Sequence, residues 1–454
     1  MTRGLVVAGV ASGVGKTTLT LGLLEAYRRR GLRVQAFKVG PDFIDPGLHE
    51  AVTGRPSYNL DGWMCGREHV ARTVAWRSTG ADLVLIEGVM GCFDGADATG
   101  EEGSTAQIAR WLALPIVLVI DASAQSRSAA AVVLGFETFD TRLRVAAVVA
   151  NRVGGPVHGR WIGEAISAVC RAVPVGAVPR DAELVLGERH LGLVTAREGV
   201  LTVERRDRLA TAIEAAVDLD RLLELAAPLP TSVGVPHDVA TRVRARIGVA
   251  RDQAFQFYYA ENLDLLRADG AELVEWSPLV DADLPDVDGL YLGGGYPELH
   301  AGRLAANVPL LKSLRRFSES GRPVYAECGG LMVLAEEIED LEGVRHAMAG
   351  VLPARVTMLP RRLTLGYREI TLAATTPLGA AGASARGHEF HASTLEEVPA
   401  RVTRAYRVHG APQESPRPEG YLIGATLLSY VHLHFGSNPE FARGFVKACA
   451  GARR

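Results

Sequence analysis

Lys16, Thr17, Lys38, Glu87 and Cys328 are the residues whose types and surroundings suit them to chemistry. The first two close the run Gly9-Val10-Ala11-Ser12-Gly13-Val14-Gly15-Lys16-Thr17-Thr18. Glycines such as Gly13 and Gly15 let backbone N–H groups turn inward around phosphate oxygens at a positive helix terminus. Lys16 would reach the outer phosphates of a nucleotide, and Thr17 would offer its hydroxyl to Mg2+. The strict phosphate-loop pattern has four residues between its outer glycines, whereas five separate Gly9 from Gly15. The chain has only four lysines, Lys16, Lys38, Lys312 and Lys447, within its 49 basic residues. Two of the four stand near the start, where a compact ammonium is not interchangeable with a guanidinium.

Two acidic loops go with this run. Phe37-Lys38-Val39-Gly40-Pro41-Asp42-Phe43-Ile44-Asp45-Pro46 leaves an apolar strand candidate, and ligands sit at the carboxyl ends of parallel strands. Lys38 would neutralise a transferring phosphoryl group, with Asp42 or Asp45 holding the metal. Ile86-Glu87-Gly88-Val89-Met90-Gly91-Cys92-Phe93-Asp94-Gly95 follows another strand, and it offers Glu87 as a metal or water ligand and Asp94 as a second carboxylate. Any one such acid is more commonly a cap or turn residue, and Asp45 before Pro46 is an ordinary turn. Asn151-Arg152, past a further strand, is a candidate adenine contact.

A second constellation lies far downstream. Arg322-Pro323-Val324-Tyr325-Ala326-Glu327-Cys328-Gly329-Gly330-Leu331 reads as a strand turning sharply into a helix with Cys328 at the corner. A thiolate at a helix N-terminus is stabilised by the helix dipole, and the two glycines permit a tight nucleophile elbow. Leu292-Gly293-Gly294-Gly295-Tyr296-Pro297-Glu298 can supply oxyanion N–H donors, Gly294 and Gly295 being the candidates. Ser429-Tyr430-Val431-His432-Leu433-His434-Phe435 offers the base, His432. Together they fit thioester formation from a primary amide with release of ammonia. A lone buried cysteine is usually only a small apolar core residue. Gly387-His388-Glu389-Phe390-His391 reads as strand-lining or substrate-loop residues, since its spacing lacks the usual zinc companions.

The elements that must position these groups follow from composition and periodicity. At 454 residues, 48% hydrophobic and 22% charged, the chain suits two or three globular domains. No apolar run is long enough for a membrane span, and the N-terminal apolar stretch runs into the glycine loop, so a cytoplasmic location is expected. The five cysteines are scattered without zinc or redox spacing. A net charge of −3 gives no reason to expect nucleic acid or an anionic membrane as partner. Gly4–Gly9, Arg33–Val39, Asp82–Ile86, Pro115–Ile120 and Val145–Ala150 read as buried parallel strands separated by helices, a doubly wound α/β layer. Val173–Val178 adds one more. A Pro-, Ser- and Gly-bearing stretch within 226–245 is expected to link residues 1–225 to 246–454. There Arg246–Ala250, Ala271–Trp276 and Gly289–Leu292 restart the strand pattern around a helix at Tyr259–Ala268.

The ordered set of motifs resembles the cobyrinate / hydrogenobyrinate a,c-diamide synthase family. It runs from VASGVGKTTLTLGL through FKVGPDFIDP, NLDGWM, EGVMGCFDG, GSTAQIA, NRVGG and ERHLGL to YLGGGYPELHA, AECGGLMVL, GHEFH and VHLHFGSNP. The glycine loop by itself is similar to that of dethiobiotin synthetase, which shares its spacing. The resemblance implies an N-terminal ATP-dependent amidoligase domain of that type and a C-terminal class I glutamine amidotransferase domain of the Cys-His type. It implies that Lys16, Thr17, Asp42 and Glu87 bind Mg-ATP and that Lys38 and Asp94 orient the carboxylate and phosphoryl group. ATP would activate an acetate side chain of a corrin ring as an acyl phosphate. Cys328, assisted by His432, would free ammonia from L-glutamine, and the cycle would run twice. Free ammonia must stay unprotonated, so a closed passage between the sites is expected.

One departure stands out. Class I glutaminases usually carry His-x-Glu, with the carboxylate orienting the base, and here the third position is His434. The rivals are the nickel-sirohydrochlorin a,c-diamide synthase, cobyric acid synthase at lower rank and, from another class, a P-loop ATPase switch with a non-catalytic second domain. An exposed sheet edge in either domain would let two copies pair as a homodimer.

Overall fold

The computed structural model describes residues 2–184, 186–189, 192–229, 242–360, 363–410 and 415–452. The chain divides into two compact units, Met1–Pro236 and His237–Arg454. Most of the stretch read as a linker, residues 230–241, lies outside the described residues, as do 190 and 191 of the ERHLGL motif.

The first unit opens with β1 (Arg3–Gly9), α1 (Lys16–Arg29), β2 (Val34–Val39), α2 (Ile44–Thr53), β3 (Tyr58–Leu60), α3 (Gly62–Arg77) and β4 (Leu83–Glu87). It continues with α4 (Thr105–Leu112), β5 (Ile116–Asp121), α5 (Ser128–Phe139), β6 (Val145–Val153), α6 (Pro156–Val169) and β7 (Val173–Pro179). A small hairpin, β8 (Glu188–Arg189) and β9 (Gly192–Leu193), precedes α7 (Val203–Ala216), α8 (Leu219–Leu225) and β10 (Ala227–Pro228). The sheet order is β3-β2-β4-β1-β5-β6-β7, parallel throughout. Every residue of β2, β3 and β4 is buried, as a sheet covered on both faces requires. Because β2, β4 and β1 are neighbours and parallel, their carboxyl ends deliver three loops to one sheet edge. Helix α1 lies close to α7: a Cβ on Gly22 would come within 2.4 Å of Ile213 Cγ1. Ala227 and Pro228, at the start of the stretch read as linker, instead pair antiparallel with Gly4 and Arg3 of β1.

The second unit runs through β11 (Ala245–Ala250), α9 (Ala260–Ala268), β12 (Ala271–Trp276), β13 (Gly289–Leu292), α10 (Ala301–Ala306), α11 (Val308–Glu319), β14 (Val324–Glu327) and α12 (Gly329–Leu334). β15 (Ala335–Glu339), β16 (Arg345–Ala347), β17 (Leu352–Met358), β18 (Thr364–Leu372), β19 (Ser384–His391) and β20 (Ser393–Leu395) follow. The last elements are β21 (Thr403–His409), β22 (Arg417–Ile423), β23 (Thr426–Ser429), β24 (His432–Leu433) and α13 (Glu440–Ala452). The main sheet has the order β12-β11-β13-β14-β23-β22-β21-β18-β19-β24. It is parallel as far as β23 and antiparallel beyond it. A smaller sheet has the order β16-β15-β17-β20. Alternation along β13 and β14 sends Leu290, Leu292, Val324 and Ala326 into one core and Tyr291 and Tyr325 into the other. The antiparallel wing differs from the purely α/β alternation expected. Its strands β18 and β22 are less deeply buried than β13, β14 and β23, which antiparallel pairing tolerates.

Candidate active sites

In the first unit the glycine loop turns at Gly13, φ 75°, and Gly15, φ 96°, and α1 starts at Lys16. A Cβ at Gly15 would lie 2.2 Å from Asn151 Nδ2, which donates to Val14 O at 2.8 Å. Arg152 donates to Gly13 O and pairs with Asp121 Oδ2 at 2.6 Å. Asn151 and Arg152, expected at the adenine, thus each donate to a carbonyl of the glycine loop. Lys16 Nζ donates to Ala11 O and Met90 O, and burial followed by Lys38 lowers its pKa to about 8. Thr17 Oγ1 donates to Glu87 Oε1 at 2.7 Å, and Thr18, one residue on, is half-buried.

Behind Thr17 lies a buried charge cluster. Lys38 Nζ donates to Asp45 Oδ2, to Glu87 Oε1 at 3.0 Å and to Gly88 O. Burial opposes the Lys38 charge, but Asp45, Glu87 and Asp42 outweigh it and hold the ammonium above its ordinary range. Burial likewise opposes the Glu87 carboxylate, yet Lys38 and His49 hold it well below the usual range. Burial, with Asp42 and Glu87 beside it, raises Asp45. His49, which motif reading missed, links Glu87 Oε2 at 2.8 Å to Ser57 Oγ at 3.1 Å. Its only signal was a histidine one helical turn after Asp45.

The other acids sit differently. Asp42 Oδ1 accepts from the Ile44 and Asp45 N–H groups and so caps α2, while its Oδ2 stands 3.8 Å from Lys38 Nζ. Asp94 is exposed and accepts from Gly91 N at 2.8 Å, closing its own turn. Of the two aspartates left open by the sequence, Asp45 is the one buried at the cluster. The Thr17 hydroxyl with the Asp45 and Glu87 carboxylates is a hard-oxygen donor set, which fits Mg2+. Among the described residues no group of three or more His, Cys, Asp or Glu forms a metal cluster.

In the second unit Cys328 sits between β14 and α12 at φ 46°, ψ −99°. That conformation is strained for a residue with a Cβ, as a nucleophile elbow requires. Its N–H donates to Ser429 O at 2.7 Å, and its thiol points to Phe390 O at 3.8 Å. A Cβ on Gly330 would lie 2.4 Å from Leu292 O, so the second glycine after the cysteine is a packing necessity. Burial, then Glu298, holds the thiol well above its ordinary range, and burial with His391 pushes His432 down to about 3. The resting pair is thus neutral thiol and neutral imidazole. Nucleophilic attack requires the proton to move as substrate carbonyl and oxyanion donors come together.

One expectation changes here. Gly294 is not an available oxyanion donor: its N–H donates to Phe257 O at 3.2 Å and its carbonyl takes the Gln256 and Phe257 N–H groups. Its service is clearance, since a Cβ there would come within 2.5 Å of His432 Cε1. Gly295, at φ 157°, remains beside α12, where the Gly329 Cβ position is 3.1 Å from Gly295 N. The GHEFH segment lies on β19, as strand-lining. His388 pairs with His432 across β24, the rings stack at 5.2 Å, and His388 Nδ1 meets Tyr259 OH at 2.8 Å. His391 stacks on Tyr430 at 3.9 Å, and Glu389 accepts from Arg368 and Arg417. The His434 ring lies tilted against Tyr259 with centroids 4.4 Å apart, its Nε2 4.0 Å from Glu261 Oε2.

Comparison with known proteins agrees with both halves. Residues 5–194 match the CobQ/CobB/MinD/ParA nucleotide binding domain, and residues 246–440 match the CobB/CobQ-like glutamine amidotransferase domain. A cobyrinate a,c-diamide synthase of Syntrophotalea carbinolica is 48% identical over 98% of both chains. Enzymes of the same name from Dehalococcoides mccartyi and Salmonella typhimurium are each 41% identical, the first covering 98% of this chain and 97% of its own, the second 99% and 98%. The chain belongs to the cobyrinate a,c-diamide synthase family. Like its family it is a ligase forming C–N bonds with glutamine as the nitrogen donor. Among the described residues no helix is long and apolar enough to cross a membrane.

Proposed function

We propose that this enzyme amidates the a and c acetate carboxylates of cobyrinic or hydrogenobyrinic acid, using ATP and glutamine. The observation that carries the reading is the presence in one chain of a strained, glycine-flanked Cys328 and a buried Lys38-Asp45-Glu87 cluster behind a phosphate loop. A carboxylate is a poor electrophile. It takes the outer phosphoryl group of ATP, releases ADP and becomes an acyl phosphate. Lys16 and Lys38 stand where negative charge must be offset, and donors preorganised in that way are worth ~10²–10³-fold in rate. Thr17, Glu87 and Asp45, with Asp42 alongside, would hold Mg2+, which supplies further charge neutralisation on the phosphates.

In the second unit Cys328 Sγ attacks the glutamine amide carbon while His432 takes the thiol proton and returns it to the departing ammonia. Water then releases glutamate from the thioester. Ammonia displaces phosphate from the acyl phosphate, and a second round treats the other acetate.

The test is Cys328→Ala assayed with glutamine or with ammonium chloride as nitrogen source. Glutamine-dependent amidation is lost and ammonia-dependent amidation persists. Equal loss of both would mean that the chemistry does not divide between the two units.

A further inference from the structure

In this fold the carboxylate that would orient the base from two residues downstream is replaced by His434. Two other carboxylates reach the same segment from beneath. Glu327, the residue immediately before Cys328, is buried within the second unit. Its Oε1 accepts from the Leu433 N–H at 2.9 Å, one residue after His432, and from Tyr325 OH at 2.5 Å. Its Oε2 accepts from Tyr291 OH at 2.9 Å. Glu419, on β22, is equally buried; it accepts from Ser429 OH at 2.6 Å and from the Tyr430 N–H at 2.8 Å. Ser429 Oγ in turn accepts from the Val431 N–H at 2.9 Å, and Ser429 O takes the Cys328 N–H. Residues 429–433 are therefore held by a carboxylate at each end, and the same two anchors tie into the cysteine.

We propose that Glu327 and Glu419 are positioning residues for glutamine hydrolysis, clamping the backbone around His432 so that it faces Cys328. The clamp acts on the main chain of the base, where the usual carboxylate acts on its ring. Apolar residues in place of these carboxylates would leave the Leu433 and Tyr430 N–H groups buried without an acceptor, which the strand relieves by shifting. A displacement of about 1 Å at a catalytic group is enough to cost ~10²-fold in rate. The inference rests on the reading of Cys328 as nucleophile and His432 as base.

The experiment measures glutamate release by the full-length protein across glutamine concentrations for wild type, Glu327→Leu and Glu327→Gln, with melting curves alongside. In Glu327→Leu, kcat falls at least tenfold and the glutamine KM stays within twofold. Glu327→Gln keeps kcat within threefold of wild type, because the amide oxygen still accepts from Leu433 and a tyrosine hydroxyl can accept from the amide. The proposal is overturned if Glu327→Leu keeps kcat within twofold, or if the folded Glu327→Gln is as slow as Glu327→Leu. Should Glu327→Leu fail to fold, Glu419→Leu and Glu419→Gln carry the same comparison from the other end of the segment. Cys328→Ala, run in parallel, tests the underlying reading by itself: hydrolysis surviving there would remove the nucleophile and not merely its support.

Discussion

Lys38 Nζ lies 3.0 Å from Glu87 Oε1 inside the first unit, both side chains almost wholly withdrawn from water. The lysine is the cation that lets Glu87 and Asp45 be buried side by side. Lys38→Met leaves two carboxylates with Lys16 as the nearby cation. Removing one partner from a buried ion pair costs ~3–5 kcal/mol, so the melting transition of the first unit drops and ATP-dependent amidation falls at least ~10²-fold. Calorimetry and an amidation assay check both. An unchanged transition would mean that the cluster is solvated.

The nucleotide half of this site was legible because strand, glycine loop and Lys-Thr are adjacent in sequence, and local rules cover them. The read strands agree with β1, β2, β4, β5 and β7 to within about a residue at each end. What could not be read was depth. Asp42 and Asp45 look alike along the chain, but only the latter falls on the inward side of α2, while the former caps its start. Glu327 was in plain view beside Cys328, yet its partners Tyr291 and Leu433 come from strands far apart in sequence. The antiparallel wing escaped because its strands are unevenly buried, without a clean period-2 pattern, and contribute no glycine loop to mark them.

Gly294→Ala tests the packing against the base. The added methyl would sit 2.5 Å from His432 Cε1 and 3.3 Å from Phe257 Cβ, so the imidazole must move. Overpacking of this kind costs ~1–3 kcal/mol, and glutamine hydrolysis falls ~10²-fold because the base is displaced. Ammonia-dependent amidation is spared, since Gly294 lies in the other unit. Steady-state kinetics with each nitrogen source decide it; equal loss of the two activities would contradict a local effect.

Glu327 and Glu419 also make a pH prediction. Burial pushes each up to about 7 from an ordinary 4.5, against the hydrogen bonds that Glu327 takes from Tyr325, Leu433 and Tyr291 and that Glu419 takes from Ser429 and Tyr430. Glu389 pushes Glu419 further up and Arg417 pulls it down. The folded state thus binds protons that the unfolded chain has already released between these values. The stability these groups contribute is fully present below about 4.5 and is lost as pH rises through about 7, at most about 3 kcal/mol for each. Glu327→Gln and Glu419→Gln remove that loss, so each variant gains on wild type in melting temperature from pH 4.5 to 8. A variant that fell behind wild type over that range would reverse the sign and show the carboxylates to be stabilised as anions.

The central claim is a double amidation with nitrogen drawn from glutamine. Its most direct measurement uses glutamine carrying ¹⁵N at the side-chain amide, with Mg-ATP and, separately, cobyrinic acid, hydrogenobyrinic acid and nickel-sirohydrochlorin. Mass spectrometry then counts labels per macrocycle. The account predicts two labels on a corrinoid and none on nickel-sirohydrochlorin. ATP hydrolysis with no label on any ring would contradict it and leave a nucleotide switch as the better description.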